Sequence, residues 1–245
     1  MTVPIKVNNP TVTVAALDPT HTVMCEGGQI TVVATATGTA TNADNYVWTV
    51  DNATQYGNNA NTFTTTLNGA GTHTITAKVE RSLGCSSQFA AAPVVVIVGE
   101  QPVAQLTQTA GFNEMCVGGD ITLMAKVNNF NNNQAVHGTY TYVWNRNNAD
   151  FQTVTGVTVD NSTITETLNA DGVYAYSVTI IPSGYNCQAV TATLDHQVTV
   201  VPDPSWSVNQ VNPTELCIGG IVTLNAEVTG GVQNQQACRI QWYKT

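Results

Sequence analysis

The chain has 245 residues, and only 9% of them are Asp, Glu, Lys or Arg, far below the roughly 25% of an ordinary soluble domain. Seven Lys and Arg against sixteen Asp and Glu give a formal net charge of -9, which argues against nucleic acid as a partner because binding it needs clustered basic residues. Hydrophobic residues make up 42%, enough to build cores, and no apolar run reaches the ~20 residues that a membrane-spanning helix needs.

Residue usage predicts an all-β protein. Thr, Val, Asn, Ala and Gly dominate the sequence, whereas Leu, Lys and Glu are scarce. Val and Thr favour strands, Asn and Gly favour turns, and the scarce residues are those that normally cover helix surfaces.

A Cys-x-Gly-Gly motif occurs three times, and each copy is followed by a strand-like segment that holds one Trp. The cysteines of the motif recur after 91 and 101 positions, which is the size of a small domain rather than of a short solenoid unit. The motif begins at Cys25, Cys116 and Cys217, and the tryptophans that follow are Trp48, Trp144 and Trp242. Their shared position predicts core tryptophans.

Alternating patterns divide each repeat into about seven short strands. Inward and outward positions alternate over residues 30–37 in the first repeat and over residues 121–127 in the second. Later strands are expected over residues 72–79 and 173–181. Long final strands are expected over residues 88–98 and 187–201. About seven strands in ~95 residues with turn signals between them predict a β-sandwich.

These repeats predict a head-to-tail array of tandem immunoglobulin-like β-sandwiches. Residues 11–100 and 101–202 are expected to be complete domains, and residues 1–10 the tail of a preceding domain or a linker. Residues 203–245 hold about three strands, so we expect an incomplete third domain that belongs to a longer array or is completed by another chain.

The combination of Cys-x-Gly-Gly, Tyr-x-Trp, Gly-x-Tyr and a late Cys resembles the bacterial Ig-like and PKD-like tandem repeats of Bacteroidetes-type surface and secreted proteins, including adhesins and type IX secretion cargo. Gly172-Val173-Tyr174 is similar to the tyrosine corner of such domains, and the first repeat has His73 at the tyrosine's place. The Trp-Asp-Phe-Gly-Asp-Gly sequence of PKD domains is absent after Trp48 and Trp144, so the Ig-like type fits better. The resemblance implies stalks, spacers, adhesins or filaments rather than catalysis.

The six cysteines allow three arrangements: pairing across domain joints, pairing within repeats, or free thiols. In the Ig topology, Cys25 and Cys85 lie at opposite poles, ~26 Å apart over eight strand residues, whereas a disulfide needs Cα atoms about 4.4–6.8 Å apart. Stacking domains head to tail instead brings the poles of neighbours together. The joint hypothesis therefore predicts the pairs Cys25–Cys187 and Cys116–Cys238, and leaves Cys85 and Cys217 for further domains. The alternative pairs Cys25 with Cys85 and Cys116 with Cys187.

No residue is predicted to be catalytic, to bind a cofactor or to hold a metal, because the sequence has no HExxH, GxSxG, P-loop or GxGxxG motif. The four histidines are scattered, and Asp44 and Asp51 are expected to be solvated loop acids. Trp206 is expected to pack a domain joint.

The sequence therefore predicts a non-enzymatic structural or adhesive protein of the bacterial surface or extracellular space, built as a stiff stalk or filament. Its expected partners are copies of itself, further repeats, or a host or surface glycan. The alternative is a carbohydrate-binding or spacer module of a larger secreted enzyme, for which Trp206, Tyr56 and Phe151 are the candidate contact residues.

Overall fold

Two β-sandwiches and a two-stranded sheet follow one another along the chain. The computed structural model describes residues 10–38, 45–58, 60–81, 86–212 and 215–232. The first sandwich holds eight strands: β1 (Thr11–Ala16), β2 (Val23–Cys25), β3 (Gly28–Thr37), β4 (Asn45–Val50), β5 (Ala53–Asn58), β6 (Thr62–Leu67), β7 (Gly71–Glu80) and β8 (Val94–Gly99).

The second sandwich follows a similar order but has ten strands and one helix. Its elements are β9 (Ala104–Ala110), β10 (Glu114–Cys116), β11 (Gly119–Val127), α1 (Phe130–His137), β12 (Tyr140–Arg146), β13 (Ala149–Val157), β14 (Asn161–Leu168), β15 (Gly172–Tyr174), β16 (Tyr176–Pro182), β17 (Val190–Thr193) and β18 (Val198–Val201). The described part of the third repeat forms β19 (Ser205–Asn212) and β20 (Thr223–Thr229), which pair antiparallel.

The strand order of both sandwiches is immunoglobulin-like. In the first, a β1-β3-β6 sheet faces a β2-β8-β7-β4-β5 sheet. The first strand is split, because β1 pairs antiparallel with β3, whereas β2 crosses over and pairs parallel with β8. The second sandwich has the same split: β9 pairs with β11, and β10 runs parallel to β18. The chain is therefore a tandem array of Ig-like β-sandwiches, as the sequence predicts.

The Cys-x-Gly-Gly motif forms the turn from β2 to β3. Gly27 has φ +81°, in the left-handed region that favours glycine. Gly28 lies against Met24, and a Cβ there would overlap the methionine sulfur. The second copy repeats both features, since Gly118 has φ +85° and a Cβ on Gly119 would lie 2.6 Å from the Met115 sulfur. One glycine therefore allows the turn, and the other allows close packing beneath it.

A tryptophan lies at the centre of each core. Trp48 and Trp144 are 1% and 0% exposed, and each lies on the strand next to the centre of its sheet. Trp48 stacks on Phe63 of the opposite sheet with ring centroids 5.4 Å apart. These two residues are core tryptophans, and Trp242 lies outside the described residues.

The final strands are shorter than the sequence pattern predicts. β8 begins at Val94 instead of residue 88, directly after Pro93, which has no N–H to donate to a sheet. The predicted single strand over residues 187–201 is also wrong. It divides into β17 and β18 because the chain bends at residues 194–197, where Leu194 packs into the core.

The tyrosine corner is present in the second sandwich. The Tyr174 hydroxyl donates a 2.8 Å hydrogen bond to the Ala170 carbonyl oxygen and so ties the turn to β15. We expect Tyr174→Phe to lower the free energy of unfolding of this sandwich by about 1 kcal/mol, the usual net contribution of such a bond. Urea unfolding followed by tryptophan fluorescence measures it.

Tyr185→Phe is the matched control, because the Tyr185 hydroxyl is exposed and its bond to the Gln29 carbonyl oxygen is 3.4 Å long. We expect this variant to stay within about 0.5 kcal/mol of the parent chain. Equal losses in the two variants would contradict a structural role of the corner.

Candidate functional site: the joint between the two sandwiches

A disulfide joins the two sandwiches. It links Cys25 to Cys187 across 162 positions of sequence, with the two Cα atoms 5.0 Å apart. Cys25 is fully buried at the end of β2, beside Gly99 at the end of β8. Cys187 follows β16 in the loop that leads to β17. Both cysteines lie at the poles where the sandwiches meet.

The loop that carries Cys187 also binds the first sandwich through its backbone and its amide side chain. The Tyr185 carbonyl oxygen accepts a 3.0 Å bond from the Cys25 N–H. The Asn186 side chain donates a 3.0 Å bond to the Glu26 carbonyl oxygen. Asn186 has φ +59°, a left-handed conformation that Asn tolerates better than most residues. The disulfide is therefore one part of a polar contact that fixes the loop.

Gln101, in the linker between the sandwiches, binds both partners. Its side-chain nitrogen donates to the Glu26 carbonyl oxygen at 2.7 Å and to the Asn186 carbonyl oxygen at 3.0 Å. Its side-chain oxygen accepts a 2.8 Å bond from the Gln188 N–H. One amide therefore holds the linker, the β2–β3 turn and the Cys187 loop in fixed relative positions.

Helix α1 and the residue before it, Asn129, also bind the linker. The Asn133 side-chain oxygen accepts a 3.0 Å bond from the Glu100 N–H. The Asn129 side chain accepts a 3.1 Å bond from the Val103 N–H and donates a 2.7 Å bond to the Gln101 carbonyl oxygen. The backbone of the linker is therefore bonded along most of its length, which restricts the relative motion of the sandwiches.

A buried histidine completes this clamp. His137 is fully buried, and its Nε2 donates a 2.7 Å bond to the Glu100 carbonyl oxygen. Because a carbonyl only accepts, Nε2 carries the hydrogen, and Nδ1 is free to accept from the Tyr140 hydroxyl at 2.7 Å. Burial raises the pKa of Tyr140 to about 12, so this hydroxyl stays protonated and can donate.

Ring stacking and close backbone contact make the joint tight. The His21 ring, on the 3-10 turn before β2, stacks on Tyr185 with centroids 3.6 Å apart and planes 10° apart. A Cβ on Gly99 would lie 2.6 Å from the Asn133 side-chain oxygen and 3.0 Å from Val136. The joint therefore requires glycine at the end of β8.

The disulfide is the cross-joint pairing that strand geometry predicts, and it excludes the two within-repeat pairs. Cys116 and Cys217 have no disulfide among the described residues. Cys85 and Cys238 lie outside the described residues, so Cys116–Cys238 stays a prediction.

Cys116 lies at the second joint, in the position that Cys25 has at the first. A cleft beside it is lined by Phe112, Met115, Pro204 and the start of the segment that follows β20, at Gly231 and Val232. In sequence order, the residues after β20 correspond to those that follow β11 and include α1.

One aromatic prediction is wrong. Trp206 was expected to pack a joint, but its position on β19 leaves it 75% exposed. Phe151, a candidate sugar contact, is partly buried and packs against Tyr176, with the Arg146 guanidinium over its ring. The side chain of Tyr56 is not described.

Asp51 is the solvated turn acid that the sequence predicts: it lies in the β4–β5 turn with an exposed side chain, and it also contacts His73 at 2.6 Å. Asp44 lies outside the described residues.

The helix clamp could not be read from residue types alone. Its one sequence signal is spacing, since Trp144 follows Cys116 by 28 positions whereas Trp48 follows Cys25 by 23. The insertion lies where α1 forms.

Within the described ranges, no three His, Cys, Asp or Glu side chains are grouped in a way that could hold a metal ion. The helices of the same ranges include none that is long and apolar enough to cross a bilayer.

Gly99→Ala should loosen the joint, because the new methyl group collides with Asn133 and Val136. Such overpacking costs about 1–3 kcal/mol, so we expect dithiothreitol to reduce the Cys25–Cys187 bond several-fold faster than in the parent chain. Timed alkylation and mass spectrometry measure the rate.

Gly69→Ala is the control, because its Cβ would find open space, with the nearest atom 4.0 Å away in the His73 ring. An unchanged reduction rate in Gly99→Ala would show that the contact does not hold the joint.

No protein-family model and no curated protein matches this chain. Several solved structures are similar to it. The fibronectin(III)-like modules of Clostridium thermocellum CbhA are 13% identical, with 77% of this chain and 95% of that chain covered and a TM-score of 0.36. Three N-terminal domains of the bacteriophage RB49 outer capsid protein Hoc are 18% identical, with 93% and 71% covered and a TM-score of 0.37.

The D1–D4 ectodomain fragment of ICAM-5 is 9% identical to this chain, with 92% and 70% covered and a TM-score of 0.44. At these identities the likeness describes the fold alone, and the Ig-like assignment rests on the strand order and register of the two sandwiches.

Proposed function

We propose that this chain is a structural or adhesive repeat segment of an extracellular or bacterial surface protein, and that it acts as a stiff spacer. The observation that carries the proposal is the joint, in which a disulfide, the Gln101 side chain and helix α1 all fix the linker. Disulfides persist in oxidising compartments, which supports a location outside the cytoplasm. We retain residues 11–100, 101–202 and 203–245 as the proposed domains.

We also propose that the second joint is cross-linked, through Cys116 and Cys238. Support comes from the position of Cys116, which matches that of Cys25, and from the nearby Gly231 and Val232, which precede Cys238 in the chain. A Cys116–Cys238 peptide in a non-reducing digest would test this pair.

Filament formation is the finer form of the proposal. The disulfide pairs the β2–β3 turn of one sandwich with the loop after β16 in the next. Cys217 occupies the turn position of the third repeat and is exposed, and Cys85 is the late cysteine of the first. We propose that these two cysteines bind neighbouring domains or neighbouring chains by the same rule.

The third repeat has the surface that completion by a neighbour would cover. Trp206, Val208, Leu224 and Val228 lie on one face of the β19–β20 sheet and are all exposed. A strand from another chain that completes this domain would bury them, in the manner of β-strand addition.

Small-angle X-ray scattering of the chain with and without its joint disulfide tests the stiff-spacer proposal. We expect the Cys25→Ser/Cys187→Ser variant to show a broader distance distribution, because only non-covalent contacts then hold the joint. A disulfide typically contributes about 2–4 kcal/mol, so the folded sandwiches should persist but bend more.

Val95→Ser is the control, because Val95 is 50% exposed on β8 and is not one of the residues that contact the second sandwich through the disulfide loop. Identical scattering from the double variant and the parent chain would contradict a role for the disulfide in stiffness.

Glycan binding is the second candidate function, favoured by the exposure of Trp206 on the two-stranded β19–β20 sheet. Exposed tryptophan rings present an apolar face together with an indole N–H. If this surface binds sugar, we expect Trp206→Ala to lower retention on insoluble polysaccharide at least tenfold. Trp206→Phe, which keeps an aromatic face, is the control, and equal retention of all three chains would contradict the role.

A further inference from the structure

The two sandwiches fasten the same turn with different side chains. In the second, the Tyr174 hydroxyl bonds to the carbonyl oxygen four residues earlier, at Ala170. In the first, His73 takes the tyrosine's place, and its Nε2 lies 2.7 Å from the carbonyl oxygen of Gly69, also four residues earlier. The imidazole therefore performs the task of the tyrosine corner.

A second substitution accompanies the first. Asp51 and Asn147 begin the equivalent β4–β5 and β12–β13 turns. Each accepts a 2.8 Å bond from a backbone N–H, of Thr74 in β7 and of Ala175 between β15 and β16. The remaining oxygen of Asp51 lies 2.6 Å from His73 Nδ1. The acid occurs where the histidine does, and the neutral amide occurs beside the tyrosine.

The partners of His73 fix its protonation. A carbonyl oxygen and a carboxylate both accept hydrogen bonds and cannot donate, so each ring nitrogen must carry a hydrogen to make both bonds. We propose that His73 is a proton-dependent lock of the first sandwich, in which the imidazolium ties the turn at residues 68–71 to Asp51. Loss of its proton removes one of the two bonds.

Neighbouring groups favour the charged pair. The hydrogen bond to the Gly69 carbonyl raises the pKa of His73 above its usual value; partial burial opposes this, and the Asp51 carboxylate adds to it. For Asp51, burial opposes ionisation, but the bonds from Thr74 and His73 outweigh it and lower its pKa.

The locked turn lies beside the joint. Its Ala70 N–H donates a 3.0 Å bond to the Glu26 carboxylate, and the Glu26 carbonyl oxygen accepts the bonds from Asn186 and Gln101. Asp51 faces the imidazole ring, and Glu26 faces the turn from the joint side. Loss of the His73 proton therefore weakens the turn at residues 68–71, whose Ala70 N–H bonds to Glu26 in the β2–β3 turn.

The pH range of the lock follows from these directions. The His73 contribution is complete below its unfolded pKa of about 6.5 and is lost as the pH rises through the higher folded value. The Asp51 contribution is present above its unfolded pKa of about 3.9 and is lost as the pH falls through the lower folded value. The pair therefore stabilises the first sandwich most between these limits, whereas the second sandwich has Asn147 and Tyr174 at the equivalent positions.

Nuclear magnetic resonance of the histidine rings in the full chain tests the lock. The chain has four histidines, and the signals lost in His73→Tyr identify this one. We expect both ring nitrogens to be protonated at pH 6.5 and the titration midpoint to lie above 6.5. Asp51→Asn should move the midpoint down. A neutral ring at pH 6.5, or a midpoint that Asp51→Asn leaves unchanged, would overturn the proposal.

Thermal unfolding of a matched variant tests the consequence. The double change Asp51→Asn/His73→Tyr gives the first sandwich the same residue types as Asn147 and Tyr174 in the second. We therefore expect this variant to fold. Between pH 6 and pH 9 the melting temperature of the first sandwich in the parent chain should fall by about 4 °C relative to this variant. The loss of a partly exposed ion pair predicts a change of this size. Parallel pH profiles in the two chains would overturn the lock.

Discussion

The end of β8 must approach helix α1 without a side chain, and the arrangement of the two sandwiches depends on that contact. Gly99 lets the linker pass close to Asn133 and Val136, and this proximity sets the direction in which the second sandwich begins. The Cys187 loop then meets the β2–β3 turn, where a disulfide can form. The covalent bond therefore secures a geometry that packing and hydrogen bonds have already established.

The joint works because its polar groups are satisfied by its own residues. Short linkers leave backbone N–H and C=O groups without sheet partners, and burying them unpaired is costly. Gln101, Asn129 and His137 supply those partners from side chains. Each bond also removes conformational freedom from the linker, so the side chains that satisfy the backbone also restrict the linker.

Sequence reasoning predicted features that depend on period or covalent geometry. Strand alternation and the paired glycines at Gly27 and Gly28 predicted the sandwiches, and the reach of a disulfide favoured Cys25–Cys187 over Cys25–Cys85 while other arrangements stayed open. Sequence reasoning failed for side chains whose contacts lie far away in the sequence, because those contacts exist only in the folded chain. Trp206 was assigned to a joint from its neighbouring prolines, and the His137 clamp was not predicted, because a hydrogen bond between distant segments leaves no local pattern.

Non-reducing peptide mapping of the full chain tests the central claim most directly. The account predicts a disulfide-linked peptide pair that contains Cys25 and Cys187, released as two separate peptides after reduction. A peptide pair that links Cys25 to Cys85 would contradict it, because that disulfide would lie within the first repeat and would leave the joint without the Cys25–Cys187 bond.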